Sequence, residues 1–179
     1  MFEKMNILSR YPMKILCFLG RNYMEKYHTR ELVRRLNMGL GTASKCLKIL
    51  EEEELLTKES LGRLSLYQAN MENPLLKELK IVFTLMEIDG LIKTLKKVSS
   101  RIILFGSCAD GEDLEQSDID ILILTEDAKS VNKLLDEYKI QRKVSAVIMD
   151  DAEFRNLKKK DKPFYSRIMK GRLLYEVPV

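Results

Sequence analysis

The sequence has no tryptophan, one histidine (His28), three cysteines and four prolines in 179 residues. A single histidine excludes metal centres built from paired imidazoles. Cys17, Cys46 and Cys108 are too few for a disulfide framework and lack the spacing of a zinc site. No apolar run approaches the roughly 20 residues needed to cross a bilayer. The N-terminal MFEKMNILSRYP has only a very short apolar stretch between Glu3 and Arg10, unlike a signal peptide. These absences predict a reduced, cytoplasmic chain that does not enter a membrane. What is abundant is ordinary globular chemistry: 45% hydrophobic and 32% charged residues exclude a disordered or fibrous chain.

The net charge of +4 is unevenly spread. Residues 1–70 carry 12 Lys/Arg and 8 Asp/Glu, whereas residues 101–179 carry 14 and 15. Between Phe105 and Thr125 stand six acids and no base. A basic N-terminal part suits a polyanion and an acidic block suits a divalent cation, although either can be a solvated face.

Residues 1–73 change period part-way. Met13, Ile15, Leu16, Phe18 and Leu19 form an apolar stripe that ends at Gly20. Thr29 is expected to N-cap a second helix with Leu32, Val33 and Leu36 inward. Asn37-Met38-Gly39 is a turn, and a third helix follows from about Gly41 to Glu54, with Ala43, Leu47 and Leu50 on one face. Residues 55–59 then read as a strand, 60–63 as a turn around Gly62, and Leu64 to Tyr67 as a return strand.

Arg30-Glu31-Leu32, Thr42-Ala43-Ser44, Leu50 with the acids after it, and Gly62-Arg63 ending in Leu66-Tyr67 together resemble the winged helix–turn–helix domains of small prokaryotic transcription regulators. That resemblance implies double-stranded DNA as a partner. Thr42, Ser44, Lys45 and Lys48 would face the major groove, and Lys58 and Arg63 would hold the backbone from the wing.

Residues 74–98 read as a joining helix that begins at Pro74 and is apolar on most sides, with Gly90 as an interruption. It either packs on its own domain or pairs with a second chain. A homodimer is expected, because two half-sites hold DNA better than one.

Residues 99–179 contain the most specific signal, LFGSCADGEDLEQSDIDILIL. Asp118 and Asp120 lie two apart at the head of a strand, so both carboxylates point to one face. Like charges so placed call for a cation, and an oxygen-liganded Mg2+ shared with substrate phosphates is the usual solution. Gly106 permits close backbone approach to a phosphate, and Ser107 offers a hydroxyl and an N–H. Around this motif, residues 127–138 and 151–160 read as helices, 143–149 as a strand, 163–170 as a helix and 172–176 as a closing strand.

Gly106, Ser107, Ala109, Gly111, Ser117, Asp118 and Asp120 resemble the motif of the nucleotidyltransferase superfamily that includes polymerase beta, in its minimal single-domain form. The resemblance implies an α/β (α+β) chain: a winged helix–turn–helix followed by a mixed sheet with flanking helices. It implies Mg2+ (or Mn2+) on Asp118 and Asp120, which would be the catalytic and metal residues. Gly106 and Ser107 would bind a nucleoside triphosphate, whose monophosphate passes to a hydroxyl acceptor such as a partner protein or toxin. It also implies a third carboxylate on the strand KVSAVIM, where Ser145 stands instead. Serine takes up no proton at neutral pH. This departure keeps open a non-catalytic regulator or antitoxin that senses nucleotide or dimerises.

Overall fold

The computed structural model describes residues 6–62 and 64–177. The chain has a mixed α/β architecture and divides into two compact units, Met1–Lys80 and Ile81–Val179.

In the first unit, α1 (Arg10–Arg21) buries Pro12, Ile15, Leu16, Leu19 and Gly20 along one stripe. A two-residue strand β1 (Tyr27–His28) leads into α2 (Thr29–Leu36), which buries Leu32 and Leu36. The cap differs from expectation. His28, not Thr29, occupies the N-cap, where its Nδ1 accepts from the Arg30 N–H at 3.2 Å. Pairing of β1 holds His28 extended immediately before the helix, so Thr29 is already its first residue. Asn37 ends α2 in the left-handed region with φ 45°, a conformation asparagine tolerates. Helix α3 (Leu40–Glu52) then buries Ala43, Cys46, Leu47 and Leu50.

Strands β2 (Leu56–Leu61) and β3 (Leu64–Ala69) form an antiparallel hairpin. They run longer than the sequence period suggests. Ser60↔Ser65 and Leu61↔Leu64 continue the ladder, so Ser60 and Leu61 belong to β2 rather than to the turn. β1 joins through Tyr27↔Tyr67, giving a three-stranded sheet in the order β1-β3-β2.

Helix α4 (Pro74–Leu95) contributes to both units along the chain. It passes through Gly90 without interruption. A Cβ there would lie 2.4 Å from the Tyr138 hydroxyl, so the glycine admits a packed side chain rather than breaking the helix.

The second unit is a four-stranded mixed sheet in the order β6-β5-β4-β7. Its strands are β4 (Arg101–Phe105), β5 (Ile119–Leu124), β6 (Val144–Met149) and β7 (Arg172–Glu176). β4 pairs antiparallel with both β5 and β7, and β6 lies parallel to β5. The helices are α5 (Ser107–Asp110), α6 (Ala128–Glu137), α7 (Asp151–Lys160) and α8 (Lys162–Met169).

Strand alternation divides the core between the two faces of the sheet. On one face Ile102, Leu104, Ile119, Ile121 and Ile123 pack with Ile88, Leu91, Ile92 and Leu95 of α4, Val131 of α6 and Cys108 and Ala109 of α5. On the other, Ile103, Phe105, Leu122 and Leu124 pack with Phe154 of α7 and Ile168 of α8. Both faces are covered, and polar groups of the motif gather where β4 ends and β5 begins.

Candidate functional site

β4 delivers the chain to Gly106, which adopts φ 71° and ψ −160°. Phe105 at the end of β4 pairs with Asp120 near the start of β5. The consequence is a close approach: a Cβ on Gly106 would sit 2.6 Å from Asp120 Oδ2. Glycine is required here twice, by a backbone conformation closed to L side chains and by the carboxylate beside it.

Ser107 is half-buried and opens α5, whose Ala109 and Asp110 N–H groups donate to the Gly106 carbonyl at 2.9 and 3.2 Å. The loop that follows is tied at both ends. The Glu112 N–H donates to the Ser107 carbonyl at 2.9 Å, and the Leu114 N–H donates to Ser117 Oγ at 2.8 Å. This loop brings Asp118 to the head of β5.

Asp118 and Asp120 are both half-buried, and their two-residue spacing continues through Leu122 and Leu124 on the same face. The Lys143 ammonium donates to Asp118 Oδ2 at 2.8 Å. That hydrogen bond, with the charges of Asp118 and Asp120, raises the lysine pKa above its ordinary value. Lys143 also holds the motif through its backbone, accepting from the Ile119 N–H at 2.9 Å.

Beside the carboxylates lies a buried polar cluster. Arg142, only 7% exposed, donates from Nη1 to Asp113 Oδ2 at 2.7 Å. Its Nη2 donates to Thr84 Oγ1 and to Glu87 Oε2, both at 3.0 Å. Burial pulls the guanidinium pKa down, but the Glu87 hydrogen bond and the surrounding negative charge leave it raised overall. Cys108 belongs to the same cluster. Its thiol donates to the Asp118 carbonyl at 3.5 Å, and Arg142 Nη1 reaches its sulfur at 3.6 Å. Burial, reinforced by Asp113, pushes the Cys108 thiol up to about 11. It is therefore a neutral space-filling residue, not a reactive thiol.

Ser145 lies on β6. β6 pairs Asp120 with Ser145 in register, and Val147 and Met149 continue its face. The nearest acids on that chain segment are engaged elsewhere. Asp150 caps α7, accepting from the Glu153 N–H at 2.7 Å, and Asp151 is exposed on the first turn of that helix. Among the described residues, no group of three or more His, Cys, Asp or Glu side chains could hold a metal ion. Two carboxylates with an ammonium already on one of them still suit a cation, and the Gly106 backbone leaves open the space that a Cβ would take beside Asp120. The two carboxylates thus fit one divalent ion.

Residues 86–177 match the model of the family described as "Polymerase beta, Nucleotidyltransferase". The chain belongs to this nucleotidyltransferase family. Comparison with curated proteins and with solved structures returned no match. Members of this nucleotidyltransferase family generally use a nucleoside triphosphate and a divalent metal. No helix among the described residues is long and apolar enough to cross a membrane.

The remaining candidates lie in the first unit. Ser44, Lys45 and Lys48 are exposed on α3 and Thr42 is half-buried there. Lys48 pairs with Glu52 at 3.6 Å. Lys58 on β2 pairs with Glu51 at 3.6 Å and lies 6.0 Å over the Tyr67 ring. Arg63 lies outside the described residues. Sequence reasoning assigned no role to Lys143 or Arg142. Parity could have found the first, since Lys143 precedes Ser145 by two and shares its face. Nothing in the pattern marks Arg142, whose partners come from α4 and the 111–118 loop.

Proposed function

We propose that this protein is a DNA-binding winged-helix protein whose second unit holds a magnesium nucleoside triphosphate and transfers its monophosphate to a hydroxyl acceptor. The observation that carries this reading is the approach of Gly106 to Asp120. Glycine takes φ 71° without strain, and its missing Cβ leaves the backbone beside Asp120 open to a ligand where any L side chain would meet the carboxylate.

When bound, the divalent ion would polarise the phosphoryl oxygens and offset developing charge. The chain's own residues supply the rest. Asp118 and Asp120 hold the cation, the Gly106–Ser107 backbone and the Ser107 hydroxyl orient phosphate oxygens, and the Arg142 cluster fixes the loop that presents Asp118. In the transfer, the acceptor oxygen bonds to the α-phosphorus, the bond to pyrophosphate breaks, and pyrophosphate leaves. The acceptor's proton passes to bulk water, because Ser145 takes up none at neutral pH, and a hydroxyl on a partner protein such as a toxin is the proposed acceptor.

The first unit supports DNA as the other partner. Three helices precede a hairpin, and α3 displays Ser44, Lys45 and Lys48 to solvent. The protein would work in the cytoplasm as a homodimer on two half-sites.

Ser145 favours a second reading, in which the same site binds nucleotide without transfer and the protein is a regulator or antitoxin. Calorimetry with the four nucleoside triphosphates and Mg2+ tests the shared part. Binding should vanish in the Asp118→Asn/Asp120→Asn double variant. If no triphosphate binds the unaltered protein, transfer and nucleotide sensing both fail for this unit, and a regulator or antitoxin whose second unit only dimerises remains. Transfer of labelled monophosphate to a co-purified acceptor separates the two. For the first unit, Lys45→Ala with Lys48→Ala should weaken DNA binding and reduce the salt slope by about 2, near 0.9 for each lost phosphate contact. Unchanged affinity and slope would remove the DNA assignment.

A further inference from the structure

Lys143 is built into the site more firmly than an exposed lysine usually is. Its carbonyl accepts from Ile119, the residue between the two motif carboxylates. The residue before it, Arg142, is anchored to Asp113, Glu87 and Thr84. The main chain at 143 is therefore held from both sides, and only the side chain is free to move. That side chain is 75% exposed, yet its ammonium rests 2.8 Å from Asp118 Oδ2.

The charge balance gives this contact a consequence. Asp118 and Asp120 bring two negative charges, and Ser145 brings none in the register position opposite Asp120. With the Lys143 ammonium included, the three side chains sum to minus one. That is too little to hold two divalent ions side by side, and it already contains one cation.

We infer that Lys143 is the resident cation of the Asp118/Asp120 pair, a positioning residue that restricts the site to one divalent ion and makes free metal bind weakly. This rests on the metal–nucleotide reading above and deepens it. A divalent ion accepted by Asp118 has to displace the ammonium or share the carboxylate with it. At the water-like dielectric of an exposed pair, a unit charge about 6 Å from a divalent ion changes its affinity by about tenfold. The resting protein therefore discriminates against free metal, and metal arriving with its triphosphate is favoured because the nucleotide supplies the missing negative charge.

The test is titration with Mn2+ alone, followed by electron paramagnetic resonance, on the full chain and on Lys143→Met, Lys143→Arg and Asp118→Asn/Asp120→Asn. Lys143→Met should bind one Mn2+ about tenfold more tightly than the unaltered protein, and Lys143→Arg should stay within about twofold of it. The gap should narrow at high salt, where exposed charges are screened. A residue of merely structural value would weaken the metal when removed, so tightening is the distinguishing sign. Mn2+ affinity unchanged or weakened in Lys143→Met, with binding still lost in the double aspartate variant, overturns this inference and leaves the metal–nucleotide reading standing. Absence of Mn2+ binding in every variant, with and without ATP, overturns both.

Discussion

Gly106→Ala puts the geometry of the site under direct test. Two costs are expected, and they are separable. The first is backbone strain. Gly106 sits at φ 71°, ψ −160°, a region essentially restricted to glycine, where an L residue costs about 1–3 kcal/mol. The second is steric. The added Cβ would lie 2.6 Å from Asp120 Oδ2, so the carboxylate must swing away. An aspartate forced off its rotamer costs about 0.5–1.5 kcal/mol. The second unit should thus lose about 2–4 kcal/mol in total. The two units need not unfold together, so a single global transition is a poor measure. Hydrogen exchange of the β4 and β5 amides reports the second unit alone. In an Asp120→Ala background the steric part disappears, so Gly106→Ala should cost about 1 kcal/mol less there. The same substitution moves Asp120, so Mn2+ affinity should fall alongside stability. A loss below about 0.5 kcal/mol, or an equal loss in both backgrounds, would refute the close approach of Gly106 and Asp120.

Arg142→Met should destabilise the second unit by about 3–5 kcal/mol, because it leaves Asp113, which is fully buried, and Glu87 without their guanidinium. Arg142→Lys should recover little of this, since a single ammonium cannot reproduce the fork; hydrogen exchange of the β4 and β5 amides checks both, and a loss below about 1 kcal/mol would sink the structural role. The raised thiol pKa of Cys108 gives a pH signature. The folded state holds the proton more tightly than the unfolded chain, so the stabilisation is complete below the ordinary value of 9.0 and is lost as pH rises from there through about 11. The loss is about 2–3 kcal/mol at 1.36 kcal/mol per pH unit, and it should be missing from the pH dependence of Cys108→Ala; parallel curves for the two proteins between pH 8 and 11 would contradict it.

Most of the secondary structure was legible because its causes are local. The short apolar runs RIILF and ILIL, the helix at 151–160 and the glycine between helix and final strand each act over a few residues. The structure places β4, β5, α7 and β7 where that reading puts them. Errors arose where a local signal had two meanings. Thr29 is a good capping residue, but pairing of Tyr27 with Tyr67, some forty residues away, holds His28 at the cap. Gly90 looks like a helix breaker, yet it is small because Tyr138 packs on it. Ser60 and Leu61 look like turn residues, yet cross-strand pairing keeps them in β2.

The candidate site divides along the same line. The two-residue spacing along one strand is sufficient to set Asp118 and Asp120 on one face; the place of Ser145 came from the nucleotidyltransferase resemblance, and the parallel pairing of β5 with β6 sets it opposite Asp120. Only tertiary structure could bring the Lys143 ammonium to Asp118, gather Thr84, Glu87, Asp113 and Cys108 around Arg142, and close Asp120 against Gly106. Those contacts join residues 14 to 58 positions apart in the chain, and their geometry is decided by how helices and strands pack rather than by any short-range preference of the residues themselves.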